Sequence, residues 1–313
     1  MISRFSPYLT AFALLVIVGA ATACHAGAKE ARVLRAACKG GDLQACHDLG
    51  DKVSRGEYVL QDWIWAAALF GQACDGELAQ GCVRLGRIHQ RGWGMEEDIA
   101  GAAELYRKGC GGGAMDGCTD LGVLYRDSID DRDSIGIPRD FVQAATLFDQ
   151  ACAGGAMPGC SHLGELYRDG LGVAGDPTRA ATLFRQACDG AYWDGCANLG
   201  VLYVAGTGVP QDFVRAAGLF EQACDSAQGS AMAGCMHLGA LHAQGSGVRQ
   251  DYAKALELYS DACDRSHAES CFRAAEMYAD GIGVGRDLGQ ASWRMRRACR
   301  LGYQDACRND AND

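Results

Sequence analysis

The most abundant reactive groups in the chain are thiols, 17 cysteines in 313 residues. Sixteen form pairs, seven of them with partners eight positions apart: Cys38/Cys46, Cys74/Cys82, Cys110/Cys118, Cys152/Cys160, Cys188/Cys196, Cys263/Cys271 and Cys299/Cys307. Cys224/Cys235 is wider. No Cys-x-x-Cys occurs, which argues against a thioredoxin-like redox site, a zinc knuckle or a haem attachment site. The histidines (His25, His47, His89, His162, His237, His242, His267) form no His-x-His or His-Glu-x-x-His pair, so no metal is expected. No Ser is followed three residues later by Lys, so the Ser-x-x-Lys nucleophile of serine β-lactamases is missing. No cofactor is expected either.

The cysteine pairs recur every 36 residues, with one step of 42 and one of 39. A fixed period of this size marks a repeat array. Aligned on the second cysteine, the units read Cys, Leu-Gly three on, an aromatic or His seven on, then Gly-x-Gly. Examples are Cys160-Ser-His-Leu-Gly-Glu-Leu-Tyr167 and Cys196-Ala-Asn-Leu-Gly-Val-Leu-Tyr203. Cys, Leu and Tyr at steps of three and four share one helix face, and Gly164 or Gly200 leaves room for a neighbouring helix. Gly206-Thr-Gly208 ends that helix with residues that tolerate positive φ. A second helix follows, opened by Asp62, Asp98, Asp140, Asp176, Asp212, Asp251 or Asp287 as N-cap. Its body is Ala-Ala-x-Leu-Phe, as in Ala144-Ala-Thr-Leu-Phe148.

These motifs resemble the Sel-1-like repeat family, relatives of tetratricopeptide repeats, and within it the cysteine-rich bacterial Hcp branch. The resemblance implies an all-α, right-handed α-solenoid of helix pairs in which disulfides staple successive helices. It covers residues 31–313 as seven full helix pairs with a half unit at each end. Ala274-Ala275 for Leu-Gly, Ser128 for the turn Gly and a degenerate last half unit depart from it. Spacing alone does not prove connectivity. Pairing at the short spacing leaves no unpaired thiol within the array, whereas the longer alternative strands Cys38 and Cys307. The resemblance also implies an interaction platform or, from the branch's β-lactamase label, penicillin binding with slow hydrolysis; no motif for hydrolysis maps onto this chain.

In such solenoids the first helix of each pair commonly lines the concave side, with its outward positions two, five and nine residues after the second cysteine. They give Asp48/Asp51/Arg55, Arg84/Arg87/Arg91, Asp120/Val123/Asp127, His162/Glu165/Asp169, Asn198/Val201/Ala205, His237/Ala240/Gln244 and Arg273/Glu276/Asp280. Arg84, Arg87 and Arg91 could hold a carboxylate, with His162, Glu165, Asn198 and His237 further along the face. Alternatively Asp48, Asp51, Asp120 and Asp127 neutralise the arginines in a salt network. His89 and His242 stand in the Tyr position and are expected to pack. Trp65 and Trp93 are possible contacts, Trp65 alternatively packing on the N-terminal half unit. The acidic insertion around Asp127–Gly136 reads as a solvated loop without calcium-loop spacing.

Acidic residues (39) outnumber basic ones (29), for a net charge of −10, which disfavours nucleic acid and anionic lipid as partners. Residues 1–23 read as a signal peptide: Arg4, an apolar stretch through Ala11–Ala20, then Ala21-Thr-Ala23. Residues 24–30 would be a short linker. Cys24 follows as the odd cysteine and could carry a lipid, although Ala21 stands where lipoproteins usually have Leu. The expectation is an exported, monomeric scaffold, periplasmic or secreted, that binds a protein or peptide, with an envelope lipoprotein adaptor as an alternative.

Overall fold

The computed structural model describes Gly27 and residues 29–57, 59–128, 137–226 and 232–310. The expected signal peptide, Cys24 and most of the acidic insertion lie outside them. Among the described residues the chain is helical throughout, with no strand. Its elements are α1 (29–39), α2 (Leu43–Arg55), α3 (Trp63–Asp75), α4 (Ala79–Arg91), α5 (Ile99–Gly111), α6 (Met115–Asp127), α7 (Phe141–Ala153) and α8 (Met157–Asp169). Then come α9 (Pro177–Asp189), α10 (Trp193–Ala205), α11 (Phe213–Asp225), α12 (Met232–Gln244), α13 (Tyr252–Asp264), α14 (Ala268–Asp280), α15 (Leu288–Arg300) and α16 (Gln304–Asp310).

Local chemistry sets the helix ends. Asp62, Asp98, Asp176, Asp212, Asp251 and Asp287 each accept backbone N–H groups of the first helical turn, as short acidic caps should. These aspartates are therefore structural. At the other end, α2, α4, α8, α10 and α14 stop at glycines in the left-handed region, for example Gly170 with φ 66° and Gly206 with φ 67°. Ser128, which replaces the turn glycine after α6, keeps a negative φ of −55°, and its hydroxyl donates to Leu124 O at 2.6 Å.

Consecutive helices pack at two recurring crossings. Within a pair, the glycine of Leu-Gly faces the ring of the following helix: a Cβ on Gly164 would lie 2.7 Å from Phe184 Cε1, and one on Gly86 2.6 Å from Tyr106 Cε1. These rings are among the most buried side chains. Between pairs, the crossing is tied by a disulfide and a second glycine. Cys74–Cys82 joins α3 to α4 with Cα atoms 4.6 Å apart, and a Cβ on Gly81 would come within 2.7 Å of the Ala73 Cβ.

All eight expected disulfides are formed: Cys38–Cys46, Cys74–Cys82, Cys110–Cys118, Cys152–Cys160, Cys188–Cys196, Cys224–Cys235, Cys263–Cys271 and Cys299–Cys307. In the loop-entropy picture each nine-residue closure contributes about 2.5 kcal/mol. Burial agrees with the expected role of these cysteines as staples. Cys46, Cys118, Cys160, Cys196, Cys235, Cys263 and Cys271 are 0% exposed, because each lies on the core side of its helix, where the neighbouring helix covers the sulfur. They are structural staples, out of reach of a ligand. Cys299–Cys307 is half-buried.

The result is an all-α array of disulfide-stapled helix pairs, stacked as a solenoid-like repeat. Contacts divide it into two compact units at Asp140/Phe141, directly after the acidic insertion. The first has its core in Leu49, Val53, Phe70 and Ile88. The second is built around Phe184, Leu199, Phe220 and Leu241.

Candidate functional site

The side chains five residues after one second cysteine and two after the next are brought together by the stacking. In the first unit Arg84 Nη2 of α4 donates to Asp51 Oδ2 of α2 at 3.2 Å, and Arg87 Nε donates to Asp120 Oδ2 of α6 at 2.6 Å. In the second, Asn198 Nδ2 of α10 donates to Glu165 Oε1 of α8 at 3.3 Å. Each rung spans 33 residues. Val201 and Ala240 occupy the matching place in the next two steps, so the polar ladder stops there.

The arginine stripe is therefore largely engaged. Asp51 and Asp120 serve as the expected counter-charges, and Asp116 adds a weaker contact to Arg87 at 3.7 Å. Asp48 and Asp127 do not join in: Asp48 accepts from Gln44 at 2.7 Å, and Asp127 pairs with Arg126. Burial pushes the Asp120 carboxyl up against the pull of Arg87. Burial also disfavours the Arg87 charge, but Asp120 and Asp116 outweigh it and hold the guanidinium above its ordinary value. Tyr106, under this pair, donates to Gln90 Oε1 at 2.7 Å, and burial with the Asp120 charge raises its phenol well above the usual range. Arg91 differs: it is exposed and has no carboxylate within 4.0 Å among the described residues.

In the second unit His162 Nδ1 lies 3.2 Å from Glu165 Oε2. Arg168 grips Asp169 through two bonds of 2.7 and 2.8 Å, which holds the Asp169 carboxyl below the usual carboxylate range. His237 stacks on Phe220, centroids 4.9 Å apart. Burial lowers its pKa, partly offset by Glu269. His89 and His242 are half-buried packing residues as expected. Trp65 is half-buried, with Arg35 of α1 stacked 4.4 Å from its ring centroid. Trp93 stacks on Trp63 at 4.4 Å and stays 40% exposed.

Six segments of the chain, residues 79–113, 116–155, 158–192, 193–227, 233–267 and 268–303, match the Sel1 repeat family model. Together they make up more than half of the sequence. The chain belongs to the Sel1 repeat family. Among solved structures it is similar to a Sel1 repeat protein from Oxalobacter formigenes, at 23% identity over 89% of this chain and 78% of that one, with a TM-score of 0.64. It also matches c5321, described as a protective antigen present in uropathogenic Escherichia coli strains displaying an SLR fold, at 23% identity over 90% of this chain and 66% of that one (TM-score 0.49). Cysteine rich protein B of Helicobacter pylori is 24% identical over 44% of this chain and 93% of that one (TM-score 0.35). A search of curated proteins returned no match.

Within this Sel1 repeat array, several features lie beyond what the sequence pattern conveys. One is the rung register. Another is the Trp63–Trp93 stack, signalled only by two tryptophans flanking a helix start and a glycine turn. A third is Arg294, which occupies the Leu position of the Ala-Ala-x-Leu-Phe motif. It is 7% exposed, lies over the Tyr278 and Trp293 rings and has only Asp264 near Nη1, at 3.8 Å. No group of three His, Cys, Asp or Glu side chains among the described residues could hold a metal ion.

Proposed function

We propose that the chain is an exported, disulfide-stapled interaction scaffold that binds a protein or extended peptide along the outward face of the first helices of its pairs. The observation that carries this reading is the rung pattern. Side chains from successive repeats are fixed relative to one another by hydrogen bonds 33 residues apart, on helices each tied to its predecessor by a disulfide. A face ordered before binding loses little conformational entropy when an extended ligand lies on it. First helices of successive repeats also touch one another, α4 with α6 and α10 with both α8 and α12, which supports placing them on the inner side of the stack within each unit.

Arg91 is the best anchor on the first unit's face, because Arg84 and Arg87 already have carboxylates and Arg91 has none. A free guanidinium takes a carboxylate bidentately, so an acidic side chain or a peptide C-terminus fits there. Eight disulfides suit an oxidising compartment, periplasmic or extracellular, and no helix of the described residues is long and apolar enough to cross a membrane. Affinity capture from envelope extract with oxidised protein and its Arg91→Ala variant tests this reading. Loss of one specific partner in the variant supports it; an identical set of partners removes Arg91 from the interface.

A further inference from the structure

A cleft of about 330 Å³ lies between α1 and α3, lined by Arg35, Lys39, Leu49, Trp65, Leu69 and Gln72. Its floor is apolar: Leu49 is 1% and Leu69 7% exposed. Its mouth is cationic, with Arg35 and Lys39 exposed one helical turn apart on α1. Like charges at this spacing destabilise a helix slightly. No ion-pair partner offsets either charge within 4.0 Å among the described residues, although the chain as a whole is acidic.

The cleft is also a departure from the repeat. At the position of Trp65, later units carry Arg179 and Arg215, which turn back onto Tyr167 and Tyr203 of their own pair at 4.3 and 5.8 Å. At the first step the roles are exchanged: the aromatic ring sits on α3, and the cation, Arg35, comes from α1, two helices earlier. The volume is at the low end for small-molecule pockets, roughly 300–1,000 Å³.

We propose that this cleft binds a medium-chain carboxylic acid, its alkyl tail on Leu49, Leu69 and the Trp65 ring and its carboxylate between Arg35 and Lys39. The tail removes apolar surface from water. The carboxylate supplies the anion that the two cations lack, and Arg35 can donate from its edge while its face remains on Trp65. Gln72 closes one wall by donating to Cys38 O at 3.3 Å.

The test is calorimetric titration of the oxidised full chain with octanoate, 1-octanol and acetate, repeated on the double variant Arg35→Ala/Lys39→Ala. Both substituted residues are exposed, and an unchanged melting temperature confirms that the variant is folded. Octanoate should bind at least tenfold more tightly than octanol or acetate and lose at least tenfold in the double variant. Ala68→Phe, which fills the cleft from an exposed position on its wall, should also abolish octanoate binding. No octanoate binding, equal binding of octanol, or full retention by the double variant would each overturn the proposal.

Discussion

Arg87 on α4 and Asp120 on α6 meet at 2.6 Å across the step between two repeats, the shortest of the polar rungs that tie the array's first helices together. Both side chains keep some solvent contact, 35% and 23% exposed, so their coupling energy should be about 1 kcal/mol or less. A double-mutant cycle with Arg87→Ala and Asp120→Asn in urea unfolding measures it. Arg87→Ala should also move the Asp120 carboxyl, already raised by burial, further up, as read by carboxyl NMR. A carboxyl that stays in place would show that the rung is not formed in solution.

Gly164 admits the Phe184 ring, so Gly164→Ala should overpack the crossing and cost about 1–3 kcal/mol. The last full pair suggests its own remedy. There Ala275 stands in the glycine position and Met295 in that of the ring, and a flexible thioether yields where a ring cannot. Phe184→Met should therefore recover part of the loss caused by Gly164→Ala, while being destabilising on its own. Strictly additive losses in thermal unfolding would contradict this crossing.

Arg294 stands where Leu258 and Leu183 stand in earlier units, with Nε and Nη1 buried and without hydrogen-bond partners. Asp264 is 61% exposed, so removing the arginine leaves no buried charge behind. Arg294→Leu should accordingly stabilise the protein by about 1–3 kcal/mol. A lower melting temperature would mean that the guanidinium is satisfied in a way the structure does not show.

Burial lowers the pKa of both His237 and His267. His267 Nδ1 also caps α14 by accepting from Ser270 N at 3.3 Å, which requires that nitrogen to be unprotonated. On acidification the unfolded chain takes up protons near pH 6.5 before the folded one does. Stability contributed by these groups is thus complete above that pH and declines as pH falls towards their folded pKa values. The melting temperature should drop between pH 7.5 and pH 5, and His237→Gln should reduce the drop. A drop of the same size in His237→Gln and in a His267→Asn variant would assign it to other groups.

The parts of this fold that are legible in the sequence are local. A disulfide closing a nine-residue loop, an aspartate three residues from the N–H it caps and a glycine ending a helix all recur at constant offsets, so their roles follow from spacing. The rungs depend on how far one helix pair slides along the next, and the same offset carries Arg87 with Asp120 in one step and Val201 with His237 in another. The pattern correctly proposes that Asp51 and Asp120 balance the arginines but cannot distinguish them from Asp48 and Asp127, which face their own helices. The Arg35–Trp65 stack joins a half unit to a full one, where the repeat no longer predicts what faces what.

The scaffold reading depends on which face of the array contacts a partner. A photoreactive residue placed at Arg55 or at Asn198, and separately at Thr182 on the exposed side of α9, asks this directly in oxidised protein that keeps Arg91, incubated with envelope extract. The account predicts specific crosslinked species from the first two positions and none from Thr182. Crosslinks confined to Thr182, with Arg55 and Asn198 silent, would place the interaction on the second helices and contradict it.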